Sequence, residues 1–436
     1  MGLPDIISIQ PSFHPVRSRI RVPGSKSITN RALVLAALAS GRTVLRGALW
    51  SEDTQVMVDC LRLLGFCIQV ETDSQVACNR TIAIEGLAGT VPPGGTRERP
   101  MELFVGNAGT AARFLTAMLC LGSGVYRLHG VPRMHERPQK ALFEALRQLG
   151  YRIETTGDKL PALIHGAGPR PGDCLVSVAE SSQFASALFL GSERGGWRVR
   201  TNGDNAEESR YVTMTTRMVA IFPRTGGDFV VEPDASSGSY FQAAHILMNL
   251  GGKGGGIGEA NSSDIKVAQW PESGWQMDAA FAKFWPLPDR VSRRSDLGDS
   301  IMTAMILAPF GFGSQGARFE DLGRLRVQEC ERVAAMRAEL TRCGGRVEET
   351  GDTLSIWPSR MHGAQIETYG DHRMAMCFAT LGLAVPGMRI LNPACVRKTF
   401  PDFFQVLACA PPNGLGATIT DGRTGRVLPE KDLFAQ

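Results

Sequence analysis

The stretch GSKSITNRALVLAAL, residues 24 to 38, begins with small and polar residues and continues into a run rich in Ala, Leu and Val. Serine directly before an apolar run is a preferred N-cap, so the stretch predicts a helix that begins near Lys26. Lys26 and Arg31 add positive charge to a helix N-terminus, which already carries about half a positive charge. A negatively charged group is therefore expected between these cations.

The same pattern, a small or polar turn followed by an apolar helical run, recurs along the chain. Five further copies are GNAGTAARFLTAMLCL from Gly106, SSQFASALFL from Ser181, ASSGSYFQAAHIL from Ala235, GDSIMTAMIL from Gly298 and GDHRMAMCFATLGL from Gly370. Strand-like segments between these copies lead through polar loops into amphipathic helices, and several helices are followed by hairpin patterns. The order is roughly βαβαββ, so six degenerate copies predict an α/β architecture.

Gly-then-helix segments also occur in α/β proteins without a repeat, but the distribution of titratable residues favours the repeat. They occupy corresponding places in several copies: Lys26, Asp299, His372 and Arg373 at the first helix start, and Asp53, Arg133, Glu329, Arg332 and Lys398 near the second. If the copies pack alike, these helix ends converge on one cleft.

Two blocks of three copies predict two lobes, with the chain crossing near Val22 and near Pro233. The upper lobe is expected from residues 1–21 with 234–407, and the lower lobe from residues 22–233. The cleft between lobes is the expected site. Residues 408–436 lose the apolar period and are expected to form a loosely attached tail.

Composition excludes several classes of protein. The 436 residues are 43% hydrophobic and 21% charged, which suits two or three folded domains. A net charge of +4 without long basic runs is not a nucleic-acid footprint. The ten cysteines form no CxxC pair, and no signal peptide or apolar span is present, so a cytoplasmic protein with reduced thiols and no membrane partner is expected.

Common catalytic motifs do not match. GSKS lacks the glycine spacing of a Walker A loop, His135 and Glu136 belong to no HExxH motif, and no nucleophile elbow is present. The GGKGGGIG run at 251–258 misses the dinucleotide pattern and predicts a turn.

Eight stretches, in order from about residue 8 to residue 407, resemble the signature series of the enolpyruvyl transferases. They are PGSKSITNRAL, LFVGNAGTAARFLTA, PRMHERP, SSQFASAL, EPDASSGSYF, RVQECERVAAM, YGDHRMAMCFA and KTFPDFF. The resemblance implies two lobes, each of three βαβαββ units in pseudo-threefold arrangement as an inside-out α/β barrel. It also implies transfer of the enolpyruvyl group of phosphoenolpyruvate to the 5-hydroxyl of shikimate 3-phosphate, with release of phosphate, on the way to chorismate.

The resemblance also implies site residues. Those expected to face phosphoenolpyruvate are Lys26, Gly109, Arg133, Gln183, Arg332, Arg373 and Lys398. Those expected to bind shikimate 3-phosphate are Lys26, Ser27, Arg31, Ser181, Ser182, Gln183, Ser209, Tyr211, Asp299 and Gln328. Supporting positions are Asp53, Asn107 and His372. Among the acceptor residues, the serines at 181, 182 and 209 are expected at the phosphate, Ser27 and Arg31 at the carboxylate, and Tyr211 against the ring.

The chemistry fits these residue types. Each substrate carries a carboxylate and a phosphate of about −1.5 to −2 charge, and guanidinium groups bind both kinds of oxygen bidentately. The reaction needs a proton delivered to a methylene carbon and removed again, together with a base for the hydroxyl. Asp299 is expected to be that base, and Glu329 with Lys26 the proton-handling pair. No cofactor or metal is expected.

Four features differ from the family pattern: Gln328 replaces a usual Lys, Arg324 a usual Asn and Phe114 a frequent Pro, and SRY at 209–211 lacks a Pro often found between Arg and Tyr. Gln328 contributes hydrogen bonds but no charge. Gly109 has no side chain in the expected phosphoenolpyruvate pocket, which predicts inhibition by glyphosate, and a monomer is expected.

Three other functions remain open. One is transfer of enolpyruvyl to a UDP-N-acetylhexosamine, which the GSKS opening and the cysteine-free PRMHERP loop oppose. Another is a non-catalytic binding protein, which the joint presence of Lys26, Asp299 and Glu329 opposes. The third is RNA-end chemistry, for which a basic and aromatic surface is lacking.

Overall fold

The structure, a computed structural model, describes residues 2–11, 14–203, 206–250, 263–311 and 316–435, with the backbone alone at 206–209. The turn predicted at 251–258 lies outside the described residues. The chain forms two compact units, one of Met1–Pro23 with Pro233–Gln436 and the other of Gly24–Glu232.

Twenty strands are found among the described residues. They are β1 Ile6–Ile9, β2 Arg17–Ile20, β3 Ser40–Leu49, β4 Ile68–Thr72, β5 Asn79–Leu87, β6 Met101–Phe104, β7 Ser123–His129, β8 Arg152–Thr155, β9 Ala162–Ala167, β10 Gly172–Ser177, β11 Trp197–Asn202, β12 Gly227–Val230, β13 Asp264–Val267, β14 Arg290–Ser292, β15 Ala317–Glu320, β16 Arg346–Thr350, β17 Thr353–Trp357, β18 Gln365–Ile366, β19 Met388–Leu391 and β20 Ile419–Asp421.

The α-helices of the described residues follow the strands in alternation. They are α1 Lys26–Leu38, α2 Glu52–Leu63, α3 Gly109–Cys120, α4 Pro132–Glu136, α5 Lys140–Gln148, α6 Ser182–Gly195, α7 Ala206–Ile221, α8 Ala235–Leu250, α9 Ile301–Leu307, α10 Arg332–Arg342, α11 His372–Gly382 and α12 Phe403–Ala408. The helices α1, α3, α6, α8, α9 and α11 coincide with the six predicted copies, and each is mostly buried.

Four sheets share one topology, in which a parallel pair is followed by two antiparallel partners. Their strand orders are β12-β3-β5-β4, β6-β7-β9-β8, β14-β15-β17-β16 and β18-β19-β1-β20. In the second and third sheets the strands and helices follow one another along the chain in βαβαββ order. This agreement supports the predicted repeat.

Two copies are shorter than predicted. The sheets β10-β11 and β13-β2 are single parallel pairs, and among the described residues neither gains a hairpin. Within the described ranges these two copies lack the final hairpin of the βαβαββ order, and such variation fits the degenerate repeat that the sequence predicts. A buried helix start signals a copy, but it says nothing about whether two further strands follow it.

The C-terminal segment is packed, which corrects the predicted loose tail. Strand β20 pairs antiparallel with β1, with Ser8 opposite Thr420. Leu415 and Leu433 are buried, and the Ala435 backbone N–H donates to the Pro401 carbonyl at 2.9 Å. The local sequence does not signal β20 because its strand partner, β1, comes from the opposite end of the chain.

Aromatic packing fixes the KTFPDFF segment in the Pro233–Gln436 unit. The ring of Phe400 lies 6.0 Å from that of Phe241 and 5.5 Å from that of Phe403, centroid to centroid. Tyr240 packs on Phe403 at 5.7 Å. Because these rings are fully buried, the chain just before them, which carries Lys398, is held against α8.

Candidate active site

In the unit Gly24–Glu232, the start of α1 lies beside the start of α2. Lys26 Nζ is 3.0 Å from Asp53 Oδ2, and the Lys26 side chain is about a quarter exposed. Asp53 lies in the first turn of α2, where the helix dipole stabilises a carboxylate. Part of the negative charge expected near Lys26 is therefore supplied by the protein itself.

Arg31 is only 2% exposed and is held by several protein groups. Its Nε donates to Thr215 Oγ1 at 2.7 Å, its Nη2 to Ser186 Oγ at 3.0 Å and its Nη1 to the Ser27 carbonyl at 2.9 Å. Its guanidinium carbon lies 5.2 Å from the centroid of the Phe114 ring. Phe114 therefore contributes a cation–π contact that a proline would not provide.

Gly109, the first residue of α3, allows a close approach by Arg137. A Cβ atom at Gly109 would lie 2.5 Å from Arg137 Nη2 and 2.7 Å from Nη1. Arg137 Nη1 also donates to the Asn107 carbonyl at 3.2 Å. Arg137, and not the predicted Arg133, is thus the arginine of the PRMHERP loop that lies beside Gly109.

Arg133 points elsewhere. Its side chain is 53% exposed and pairs with Glu136 at 2.5 Å on the short helix α4. The motif carries two arginines four positions apart, and the residue pattern alone cannot choose between them. Only the end of α4 after Glu136 directs the second arginine toward α3.

The start of α6 lies beside the start of α3. Ser181 caps α6 by accepting from the Gln183 backbone N–H at 3.2 Å, and Gln183 Nε2 donates to Thr110 Oγ1 at 3.5 Å. Ser181 and Ser182 are both buried. Asn107 belongs to the same region, and within the described part of the chain its Oδ1 atom is buried without a hydrogen-bond partner.

Two predicted acceptor residues lie on α7. Ser209 is in the stretch where only the backbone is described, so its side chain lies outside the description. Tyr211 is half-buried, and its carbonyl accepts from the Thr215 hydroxyl at 2.8 Å. Since Thr215 also contacts Arg31, α7 is linked to the start of α1.

In the unit Met1–Pro23 with Pro233–Gln436, Asp299 is surrounded by guanidinium groups. Its Oδ2 lies 2.9 Å from Arg373 Nη2, and its Oδ1 lies 3.0 Å from Arg293 Nη2 and 3.7 Å from Arg332 Nη1. Burial opposes ionisation, but the three cations outweigh it and hold the pKa of Asp299 far below its usual range. Asp299 is therefore ionised at neutral pH.

Glu329 lies next to this group and is shared by two cations. Its Oε2 is 2.8 Å from Arg332 Nη2, and its Oε1 is 3.4 Å from Lys398 Nζ. Its side chain is 22% exposed, so its carboxylate is reachable from outside the protein. Sequence reasoning placed both Asp299 and Glu329 in the site, and the structure brings them to the same arginine.

Arg332 is buried and is oriented by Asp371. Its Nε and Nη2 donate to the two carboxylate oxygens of Asp371 at 2.7 and 3.2 Å, and its Nη1 donates to Gln328 Oε1. Asp371 also caps α11 by accepting from the Arg373 backbone N–H at 2.8 Å. Burial opposes charge on both partners, yet their attraction raises the pKa of Arg332 and lowers that of Asp371.

His372 follows Asp371 and is only 1% exposed. Burial lowers the pKa of its imidazole to about 3, and the nearby Asp371 carboxylate does not compensate. The Nδ1 atom lies 3.7 Å from Asp371 Oδ1, beyond hydrogen-bond distance. His372 is therefore a neutral packed ring at physiological pH and adds no positive charge to the site.

Sequence reasoning missed three contributors. Arg137 and Arg293 are arginines of polar loops, a residue type that usually lies in solvent, so no local signal singled them out. Asp371 lies within the YGDHRMAMCFA stretch, but no role was expected for it. The DH dipeptide at a helix start is a usable signal, because Asp is a preferred N-cap.

The cluster formed by Asp299, Glu329, Asp371, Arg293, Arg332, Arg373 and Lys398 contains four cations and three carboxylates. It can bind an anion and can handle protons through its partly exposed carboxylates. Among the described residues, no group of three or more His, Cys, Asp or Glu side chains is arranged to hold a metal ion. No helix of the described chain combines the length and apolar character needed to cross a membrane.

Comparison with known proteins agrees with this geometry. Residues 12–224 and 292–407 match the family model described as EPSP synthase (3-phosphoshikimate 1-carboxyvinyltransferase). A 3-phosphoshikimate 1-carboxyvinyltransferase of Opitutus terrae is 37% identical over 94% of this chain and 98% of its own length. One from Nitrosomonas europaea is 38% identical over 91% of this chain and 97% of its own length.

Solved structures share the fold. The EPSP synthase of Acinetobacter baumannii matches with a TM-score of 0.69 and 21% identity, over 95% of this chain and all of that one. The enolpyruvyl transferase NikO of Streptomyces tendae matches with a TM-score of 0.66 and 15% identity, over 97% of this chain and 99% of that one. On the family model and the sequence relatives, the chain belongs to the EPSP synthase family, the 3-phosphoshikimate 1-carboxyvinyltransferases.

Proposed function

We propose that this transferase moves the enolpyruvyl group of phosphoenolpyruvate to the 5-hydroxyl of shikimate 3-phosphate and releases phosphate, as its family does in aromatic amino acid biosynthesis. The observation that carries the proposal is the pairing of Asp299 and Glu329 around one buried arginine, Arg332. This arrangement provides an anion site with two carboxylates at its edge, which is what addition and elimination of phosphate require.

Each of the two compact units is proposed to be one lobe. Each lobe would contain three βαβαββ copies in pseudo-threefold arrangement, as an inside-out α/β barrel. Two four-stranded sheets of one topology and one parallel pair in each unit support this arrangement. The C-terminal residues belong to the lobe that contains β1, since β20 extends its sheet.

Phosphoenolpyruvate is proposed to bind Arg332, Arg373 and Lys398 in one unit. These three cations are largely buried but keep an exposed edge at Arg373 and Lys398. In the other unit, Arg137 takes the place first given to Arg133. The residues proposed with it are Lys26, Gly109 and Gln183, with Asn107 as a supporting residue.

Substrate binding would alter Asp299. The cations that hold its pKa low include Arg332 and Arg373, which are also the proposed ligands of phosphoenolpyruvate. A bound phosphate or carboxylate adds negative charge and competes for the same guanidinium groups, so the pKa of Asp299 rises. Asp299 thereby becomes a better base when substrate is present than when it is absent.

The proposed reaction proceeds by addition and then elimination through a tetrahedral intermediate. In the addition, the C2=C3 double bond of phosphoenolpyruvate opens as the 5-hydroxyl oxygen bonds to C2. Asp299 receives the hydroxyl proton, and the methylene carbon C3 gains a proton from Glu329 or Lys26. In the elimination, the methyl carbon loses a proton to that pair, the bond from C2 to the phosphate oxygen breaks and the C2=C3 double bond re-forms as phosphate leaves. Glu329 is partly exposed and hydrogen-bonded to Arg332, which suits a group that must reach substrate in a fixed orientation.

Shikimate 3-phosphate is proposed to bind through its phosphate to the serines at 181, 182 and 209 and through its carboxylate to Ser27 and Arg31. Capping of α6 by Ser181 places two hydroxyls and a helix N-terminus together, which suits a phosphate. Gln183, Tyr211, Lys26, Asp299 and Gln328 complete the proposed set. Gln328 already accepts a hydrogen bond from Arg332, so its remaining amide N–H groups are the donors for a hydroxyl.

We further propose that the protein is a cytoplasmic monomer inhibited by glyphosate. All ten cysteines are free thiols, which suits a reducing compartment. The proposal for glyphosate rests on Gly109, whose missing side chain lets the Arg137 guanidinium group lie where a Cβ atom would otherwise stand.

The test is phosphate release from phosphoenolpyruvate with one of two acceptors. Release with shikimate 3-phosphate and none with UDP-N-acetylglucosamine is expected. Release with UDP-N-acetylglucosamine alone would assign the chain to the sister reaction, and release with neither acceptor would show a non-catalytic binding protein. Asp299→Asn is the matched control, because it keeps the side-chain size and removes the proposed base.

A further inference from the structure

Asp278 is a buried carboxylate outside the cluster that contains Asp299. It is 5% exposed and lies at the start of the 3₁₀ turn Met277–Lys283. Burial of a carboxylate is costly unless its oxygens are hydrogen-bonded, so its partners indicate what it stabilises.

Those partners lie on both sides of Asp299. Asp278 Oδ1 accepts from the Gly298 backbone N–H at 2.7 Å, from the Ser300 backbone N–H at 3.2 Å and from Ser300 Oγ at 2.6 Å. Three donors thus meet one oxygen and bracket the residue proposed as the base. The peptide group that joins Asp299 to Ser300 is fixed directly, and with it the direction in which the Asp299 side chain leaves the backbone.

The other oxygen connects this loop to a second helix start. Asp278 Oδ2 accepts from Ser236 Oγ at the beginning of α8. Two residues earlier, Gln276 Oε1 accepts from the Ala235 backbone N–H at 2.9 Å and its Nε2 donates to the Pro233 carbonyl at 2.8 Å. Asp278 is therefore anchored to the EPDASS segment, and the loop of Asp299 is anchored to Asp278.

Gly298 makes this approach possible. A Cβ atom there would lie 3.1 Å from Asp278 Oδ1, closer than an ordinary contact. A side chain at 298 would push the carboxylate away from the two backbone donors. The glycine and the buried carboxylate are thus parts of the same arrangement.

We propose that Asp278 is a positioning residue for the enolpyruvyl transfer reaction, acting through Asp299 by fixing the backbone on both sides of it. The inference rests on the role of Asp299 in the proposed function. Asp299 must place one carboxylate oxygen at a substrate hydroxyl while the other stays at Arg373. If the backbone at 298–300 could rotate, the Asp299 carboxylate would pair with the guanidinium groups alone.

The test compares Asp278→Ala and Asp278→Asn in steady-state phosphate release with both substrates. Asparagine keeps an Oδ1 acceptor for the two backbone N–H groups, and Ser236 Oγ can accept from its amide. Asp278→Ala is expected to lower kcat by about 10- to 100-fold with both KM values within about threefold, because misplacing a reacting group by about 1 Å has an effect of this size. Asp278→Asn is expected to stay within about threefold of the wild-type kcat.

A stabilising role alone would give a different result. Asp421→Ala is the matched control, since Asp421 also accepts two backbone N–H groups, those of Arg423 and Thr424 at 2.8 Å, in a C-terminal turn. In the Asp299→Asn background, Asp278→Ala is expected to lower the residual kcat by less than about threefold, because both changes act on the same group. A full additional loss in that background, or a loss no larger than in Asp421→Ala, would overturn the inference.

If Asp278→Ala does not fold, Gly298→Ala and Ser300→Ala replace it in the same comparison. Each is expected to lower kcat and leave both KM values unchanged, and to cause no further loss of kcat in the Asp299→Asn background. Failure of the proposed function is distinguishable. Full activity of Asp299→Asn would contradict both the role of Asp299 as base and the positioning role of Asp278. An inactive Asp299→Asn together with a fully active Asp278→Ala would contradict only the positioning role of Asp278.

Discussion

The change Gly109→Ala tests the geometry at the start of α3. The added methyl group would lie 2.5 Å from Arg137 Nη2, whereas ordinary contacts begin at 3.4 Å, so the guanidinium group must move by about 0.9 Å. Alanine favours a helix over glycine by about 1 kcal/mol, so the fold is not expected to lose stability. The change therefore acts on the position of Arg137 and not on the fold.

A displaced guanidinium group loses a charge-assisted hydrogen bond to substrate, worth about 1.5–3 kcal/mol. The KM for phosphoenolpyruvate is expected to rise by about 10- to 100-fold, while the KM for shikimate 3-phosphate changes by less than about threefold. The assay is steady-state phosphate release with each substrate varied in turn. Arg137→Ala should reproduce the effect and Arg133→Ala should not. An unchanged KM for phosphoenolpyruvate in Gly109→Ala, or a larger effect of Arg133→Ala, would refute the reasoning.

Three more changes test other parts of the account. Gln328→Lys restores the positive charge of the family's usual Lys on the shikimate 3-phosphate side, so the KM for shikimate 3-phosphate should fall; an unchanged or higher KM would contradict this. The pKa of His372 is about 3 in the folded protein and 6.5 ordinarily, so the unfolded state binds the proton first as pH drops. The free energy of unfolding should therefore fall as pH drops from about 6.5 toward 3. In urea unfolding, the dependence of this free energy on pH should be smaller in His372→Asn by up to about 1.4 kcal/mol per pH unit, and an equal dependence would contradict the prediction. Truncation after Ala408 removes the strand that covers β1, so the melting temperature should drop and aggregation should rise in light scattering, whereas an unchanged melting temperature would restore the loose-tail hypothesis.

Helix starts were the most predictable part of the fold. The small and polar residues before Lys26, Gly109 and His372 are local signals of a buried helix that follows. The Asp371 side chain caps the helix that begins at His372, whereas Ser25 and Ala108 make no side-chain cap hydrogen bond. No local sequence pattern shows that β10 and β11 form only a parallel pair among the described residues, because strand pairing depends on residues distant in the sequence. The same holds for β20, whose partner is at the N-terminus.

The charged residues of the site were predictable by type more than by position. The motifs that contain Asp299, Glu329 and Arg332 supply two carboxylates and a guanidinium group. The structure brings both carboxylates to Arg332. Between Arg133 and Arg137 the sequence offers the same side chain twice, and only the end of α4 separates them. Asp278 has no motif of its own, since its role depends on backbone groups 20 residues later in the chain.

Asp299 is proposed as the base with which this chain forms an enol ether on shikimate 3-phosphate. The decisive experiment is carbon-13 NMR of labelled phosphoenolpyruvate mixed with shikimate 3-phosphate and the protein. We expect a vinyl ether product with one phosphate released for each molecule formed, and loss of this product in Asp299→Asn. Phosphate release without a vinyl ether, or full product formation by Asp299→Asn, would contradict it.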